Sequence, residues 1–136
     1  MALELPNVHR EAIVEHARGG APAEVVGVLA GESGAEARVE RRYPARNAAE
    51  TPETRYEIAS EAELEILERI DDAGLDVVGF YHSHPRGPLE PSATDAALAA
   101  WPGRAYVIVS LDGGRAELGS WRWRGDRFER EPVRVV

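Results

Sequence analysis

The chain has no cysteine and no lysine; all sixteen of its basic side chains are arginine. Without thiols, disulfides and thiolate catalysis are excluded, and any metal site must be assembled from nitrogen and oxygen ligands. Without a side-chain ammonium there is no Schiff-base lysine, no lysine general base and no lysine through which another protein could be attached to this one. No apolar run approaches the ~18 residues of a membrane span. The segment Met1–Ala17 is amphipathic and acidic, without the basic-then-apolar order of a secretion signal, so a cytoplasmic location is expected. The net charge of −8 argues against a nucleic-acid partner. At 136 residues, 43% of them apolar, the chain suits one domain spanning residues 1–136 around one core.

Three Val-rich runs read as buried strands: Glu24–Ala30, Asp76–His82 and Ala105–Leu111. Ala37–Tyr43 returns from the first as a hairpin partner, Arg55–Ile58 is a short strand, and Glu117–Arg124 follows the turn Asp112-Gly113-Gly114. Phe128–Val136 closes the chain. Helices are expected over Val8–Arg18 with Asn7 as cap, from Ser60 to Gly74 with Ser60–Glu63 as capping box, and over Ser92–Trp101. Helices and strands interleave early and strands dominate late. This predicts an α/β domain with a central mixed sheet flanked by helices, since the last connections are too short for parallel crossovers.

The chemistry concentrates in Tyr81–Asp95. Side chains two apart on a strand share a face, so His82 and His84 at a strand's end can converge while Ser83 points away. Two imidazoles aimed together make half a zinc site. Asp95, in the first turn of the next helix, can be folded back as a third ligand, leaving one tetrahedral position open, as catalytic sites do. Ser92 and Asp95 also read as a helix-capping pair, which is compatible with that role. Glu24, a carboxylate at the start of an apolar strand, is either a charge reaching solvent or a base. His9 and His16 share a helix face and read as packing, as do Trp121 and Trp123 on one strand. Arg124-Gly125-Asp126 reads as a hairpin turn. Arg86 and Glu90 fall in the loop between the two halves of the motif, with no role the sequence requires.

His82-Ser83-His84-Pro85, six residues and then Ser92-x-x-Asp95 resembles the JAMM motif of the MPN+ zinc metallopeptidases. Pro22–Gly31 resembles the strand that carries the family's upstream glutamate. The resemblance spans about Ala21–Leu111 and is similar in length to compact prokaryotic members. It implies a mixed sheet with cytidine-deaminase-like layering and one Zn2+ per chain on His82, His84 and Asp95. Glu24 would take a proton from the zinc-bound water and deliver it to the leaving amine, Ser92 would bond the oxyanion, and Ser83 would orient backbone. The implied substrates are ubiquitin-like β-grasp proteins cut after a Gly-Gly tail, whose tail could add as a strand at a sheet edge. Processing of a sulfur-carrier protein's C-terminus is the alternative, and a non-catalytic scaffold or a hydrolase of small amides is the more distant one. The short Ala96–Gly103 segment has no room for the insertions that give the family's eukaryotic deubiquitinases their linkage preference. A flanking flap would fall at Asn47–Ile58.

Overall fold

The β-branched runs do form the middle of a sheet. A computed structural model describes residues 1–136 as β1 (Ala2–Leu5), α1 (Asn7–Gly20), β2 (Val26–Glu32), β3 (Glu36–Ala45), α2 (Ser60–Asp72), β4 (Asp76–His84), α3 (Ala93–Leu98), β5 (Ala105–Ser110), β6 (Glu117–Trp123), β7 (Phe128–Glu131) and β8 (Val133–Val135). All eight strands join one sheet in the order β7-β6-β5-β4-β2-β3-β1-β8. It is mixed: β4 runs parallel to β5, and β1 parallel to β3 and β8, while the other pairs are antiparallel. The β4-to-β5 crossover carries α3, as a parallel pair requires. No helix is long and apolar enough to cross a membrane.

Alternation along the strands splits the core into two layers. Leu29, Tyr81 and Val107 meet Ile13 and Ala17 of α1; Val28, Phe80 and Tyr106 meet Ile66 and Ile70 of α2. Gly27 makes the first layer possible, because a Cβ there would stand 2.1 Å from the Tyr81 ring. The Tyr81 hydroxyl then reaches His16 Nδ1 at 2.7 Å and accepts from Arg42 at 2.8 Å. His16 is thus half-buried packing with one polar tether. Trp121 and Trp123 are buried as expected.

Strands β7 and β8 stand at opposite ends of the sheet yet are separated in sequence by Pro132 alone. The sheet therefore curls until its two margins meet. Within the curl, Arg122, 2% exposed, donates to Glu131 at 2.8 Å and to the carbonyls of Ala2 and Gly34 at 3.1 and 2.7 Å.

Several expected boundaries are corrected. Strand β1 falls where no element was expected. Asn7 is the first residue of α1, not its cap; Pro6 precedes it, and the Asn7 amide donates to Glu11 instead. Ser60 likewise lies inside α2, with Ala59 at the cap position, and its capping box does not form. Helix α3 stops at Leu98, short of Trp101. Trp101 precedes a proline, which disfavours helical backbone, and the Tyr106 hydroxyl accepts from Ala100 and Trp101 N–H in place of helical carbonyls. Arg55–Ile58 contributes only an isolated bridge between Asn47 and Ile58. Glu24 lies just before β2, not in it.

Candidate metal centre

His82 and His84 occupy the last turn of the pleat in β4 and face the α2 side of the sheet. Between them Ser83 faces the other way: its hydroxyl accepts from Val25 N–H at 2.8 Å, and its own N–H donates to Val25 O at 3.1 Å. These two bonds fasten Val25 to β4 and so set its neighbour Glu24 beside the imidazoles. Asp95 arrives from α3 through a capping box. Asp95 N–H donates to Ser92 Oγ at 3.0 Å, and Ser92 N–H to Asp95 Oδ2 at 2.9 Å. The cap and the site are built from the same atoms.

The four side chains are buried, and one ligand atom from each lies within 4.8 Å of the others. His82 Nε2 and His84 Nε2 are 3.2 Å apart, and Asp95 Oδ2 stands 3.2 and 3.0 Å from them. Ligands held ~2.0–2.1 Å from a tetrahedral zinc stand ~3.3 Å from one another, so these three atoms outline one face of such a tetrahedron. His84 Nδ1 lies 2.9 Å from Pro88 O. A carbonyl only accepts, so Nδ1 carries the proton and Nε2 keeps its lone pair for a metal. Glu24 Oε1 and His82 Nδ1 are buried without hydrogen-bond partners. A partnerless buried carboxylate oxygen beside three ligand atoms fits a site meant to hold an ion and its water. The group suits a metal ion.

The electrostatics are those of a crowded buried site. Burial pushes the Glu24 carboxyl up to about 7; the nearby His84 opposes this and Asp95 adds to it. Burial also works to raise Asp95, but its bonds to His82 and His84 win and hold it well below the usual carboxylate range. Burial lowers His82. For His84 burial acts in the same direction, yet the bonds to Asp95 and Pro88 O carry the net shift upward.

Tyr56 belongs to this site and sequence reasoning missed it. Its ring stacks on His82, with centroids 4.5 Å apart and planes 28° apart. An aromatic residue in an otherwise polar loop was the available signal. The loop lies within the expected flap and is held by Asn47. Its side-chain nitrogen donates to Glu24 O at 3.0 Å and Arg55 O at 2.9 Å, and its oxygen accepts from Ala49 and Glu57 N–H at 3.0 and 3.1 Å. Asn47→Ala is expected to destabilise the protein by ~1–3 kcal/mol, since several part-buried and exposed backbone groups lose their partner at once. Urea unfolding reads this, and an unchanged midpoint would show the loop to be held by other contacts. Beside the quartet opens a cleft of about 410 Å³, bounded among others by Glu24, Thr54, His84, Arg86 and Ser92.

A mixed sheet whose mouth gathers two imidazoles and two carboxylates at an open cleft is the construction of a hydrolase. The chain belongs to the family described as prokaryotic homologs of the JAB domain, whose model matches residues 6–124. It is 47% identical over 130 residues to a desampylase of Haloferax volcanii, covering 93% of this chain and 91% of that one. It is 42% identical over 126 residues to a CysO-cysteine peptidase of Mycobacterium tuberculosis, covering 92% and 85%. A solution structure of a protein from Desulfitobacterium hafniense superposes with a TM-score of 0.87 at 30% identity, covering 98% of this chain and 92% of that one. The family expected from the motif is thus the family found, and the chain is a hydrolytic enzyme with the expected α/β fold.

Proposed function

We propose that this protein is a zinc peptidase that hydrolyses the peptide or isopeptide bond following the Gly-Gly tail of a small ubiquitin-like β-grasp protein. His82, His84 and Asp95 hold one zinc ion, and the observation that carries this is the triangle of ligand atoms described above. Bound there, zinc supplies a Lewis acid and lowers the pKa of the water it holds to ~7. Glu24, poised near neutrality by burial, takes a proton at its carboxylate and returns one to the leaving nitrogen. Ser92 Oγ already accepts from Asp95 N–H, so its own proton is free for the carbonyl oxygen that becomes negative as the bond is attacked. Tyr56 shields one face of His82, and Pro88 O fixes the His84 ring.

The relatives' names support the substrate class: the desampylase favours release from conjugates, and the CysO-cysteine peptidase favours the second reading, removal of an amino acid from a sulfur-carrier protein's C-terminus. The test is mass spectrometry of a β-grasp protein fused through Gly-Gly to a reporter, with and without chelator. A cut after the second Gly that vanishes with chelator and returns with zinc is expected. A cut indifferent to chelator, or none from the zinc-loaded protein on fused or singly extended substrates, would sink the proposal. Ser92→Ala is expected to slow turnover ~10²–10³-fold, well beyond what the ~1 kcal/mol loss of a helix cap explains. Unchanged kcat in that variant would reduce Ser92 to a cap.

A further inference from the structure

The cleft beside the metal-ligating quartet carries three carboxylates and one guanidinium among its lining side chains. Glu24, Glu53 and Glu90 line it, and Arg86 is its single cation. Arg86 is exposed, and it forms no ion pair or side-chain hydrogen bond with either peripheral glutamate. A guanidinium that ignores two carboxylates on the same cleft is available to a ligand. Its backbone is not free to wander. Proline fixes the residue before it. Gly87, the residue after it, packs against the His84 ring and offers its carbonyl to the Ser110 hydroxyl at 2.7 Å. Pro88 O is held by His84 Nδ1 at 2.9 Å. Two residues from His84, the Arg86 Cα lies within ~7 Å of the His84 Cα. The cation is therefore mounted on a pinned loop that borders the same cleft as Glu24, His84 and Ser92.

We propose that Arg86 binds the α-carboxylate of the leaving group, and so sets a preference for substrates from which a single C-terminal amino acid is released. The inference rests on the peptidase reading given above and names the specificity of that same site. An amino acid leaving from its α-nitrogen carries a carboxylate one carbon away from the scissile bond. A lysine leaving from its Nε within a target protein carries none nearby. Only the first gives the guanidinium a planar, bidentate partner. Glu53 and Glu90 border the same cleft, so Arg86 is the one side chain there whose fixed positive charge favours a substrate carboxylate over an uncharged group.

The test compares two substrates that differ in one group: a β-grasp carrier ending in Gly-Gly-Ala with a free carboxylate, and the same carrier ending in the carboxamide. The wild-type protein, loaded with zinc, is expected to prefer the acid by ~10-fold in kcat/KM, the scale of one exposed charge-assisted contact. In Arg86→Gln that ratio is expected to fall to near one, to be partly restored in Arg86→Lys, and to change through KM. A wild-type ratio near one, or an Arg86→Gln variant that slows both substrates equally and keeps the ratio, overturns the role of Arg86 while leaving the peptidase reading standing. Cleavage of neither substrate by the wild-type protein overturns both.

Discussion

Glu24→Gln is expected to lose ~10²–10⁴-fold in kcat, the usual worth of a positioned acid–base group, while still binding one zinc ion per chain. The substitution keeps shape and removes the proton-carrying function. Glu24 Oε1 has no partner in the protein, so the amide breaks no existing bond. Loss of metal together with activity would instead move Glu24 into the ligand set. The same variant isolates a pH effect in the metal-free protein. Burial raises the Glu24 carboxyl from 4.5 to about 7, so the folded state holds its proton more tightly than the unfolded chain. Below pH 4.5 both states are protonated and the group contributes nothing. As pH rises toward about 7 the unfolded chain is ionised first, and the folded state loses stability relative to it. Melting curves from pH 4 to 8 in chelator should show wild type falling relative to Glu24→Gln across that interval. Parallel curves would remove the burial argument.

Asp95→Asn is expected to abolish both metal binding and measurable turnover while the protein stays folded. Asp95 Oδ2 lies within 3.2 Å of both imidazole nitrogens, so the neutral amide leaves only two ligands of a tetrahedral set. The amide oxygen can still accept from Ser92 N–H, which preserves the start of α3. Metal content by mass spectrometry and a circular dichroism melt separate the two effects. Stoichiometric zinc in the variant would exclude Asp95 from the ligand set.

The quartet was legible because its parts are local. His82 and His84 obey strand alternation, Ser92 and Asp95 obey capping chemistry, and both patterns survive folding unchanged. Glu24 was nameable by resemblance, but its placement depends on Ser83, 58 residues or so along the chain, and nothing local announces that pairing. Tyr56 was not legible for the same reason: a loop aromatic finds its partner only after Asn47 gathers the loop. Strand β1 escaped because four residues carry no periodicity, and its signal is tertiary, lying in pairings with β3 and with β8 at the far end of the chain. At Ser60 and Asn7 the capping residues were present but one position too late, since the helices began one residue earlier than their caps implied.

The switch from one sheet margin to the other at Pro132 has a consequence for the order of synthesis. A chain leaving the ribosome can pair β1 with β3 once residue 38 is out. The other edge of β1 has no strand partner until Val133–Val135 emerges. Between the emergence of β3 and that of β8 the nascent protein therefore carries an unpaired strand edge, the kind of surface that chaperones cover and that neighbouring chains invade. Residues Val133–Val135 are the ones that remove it.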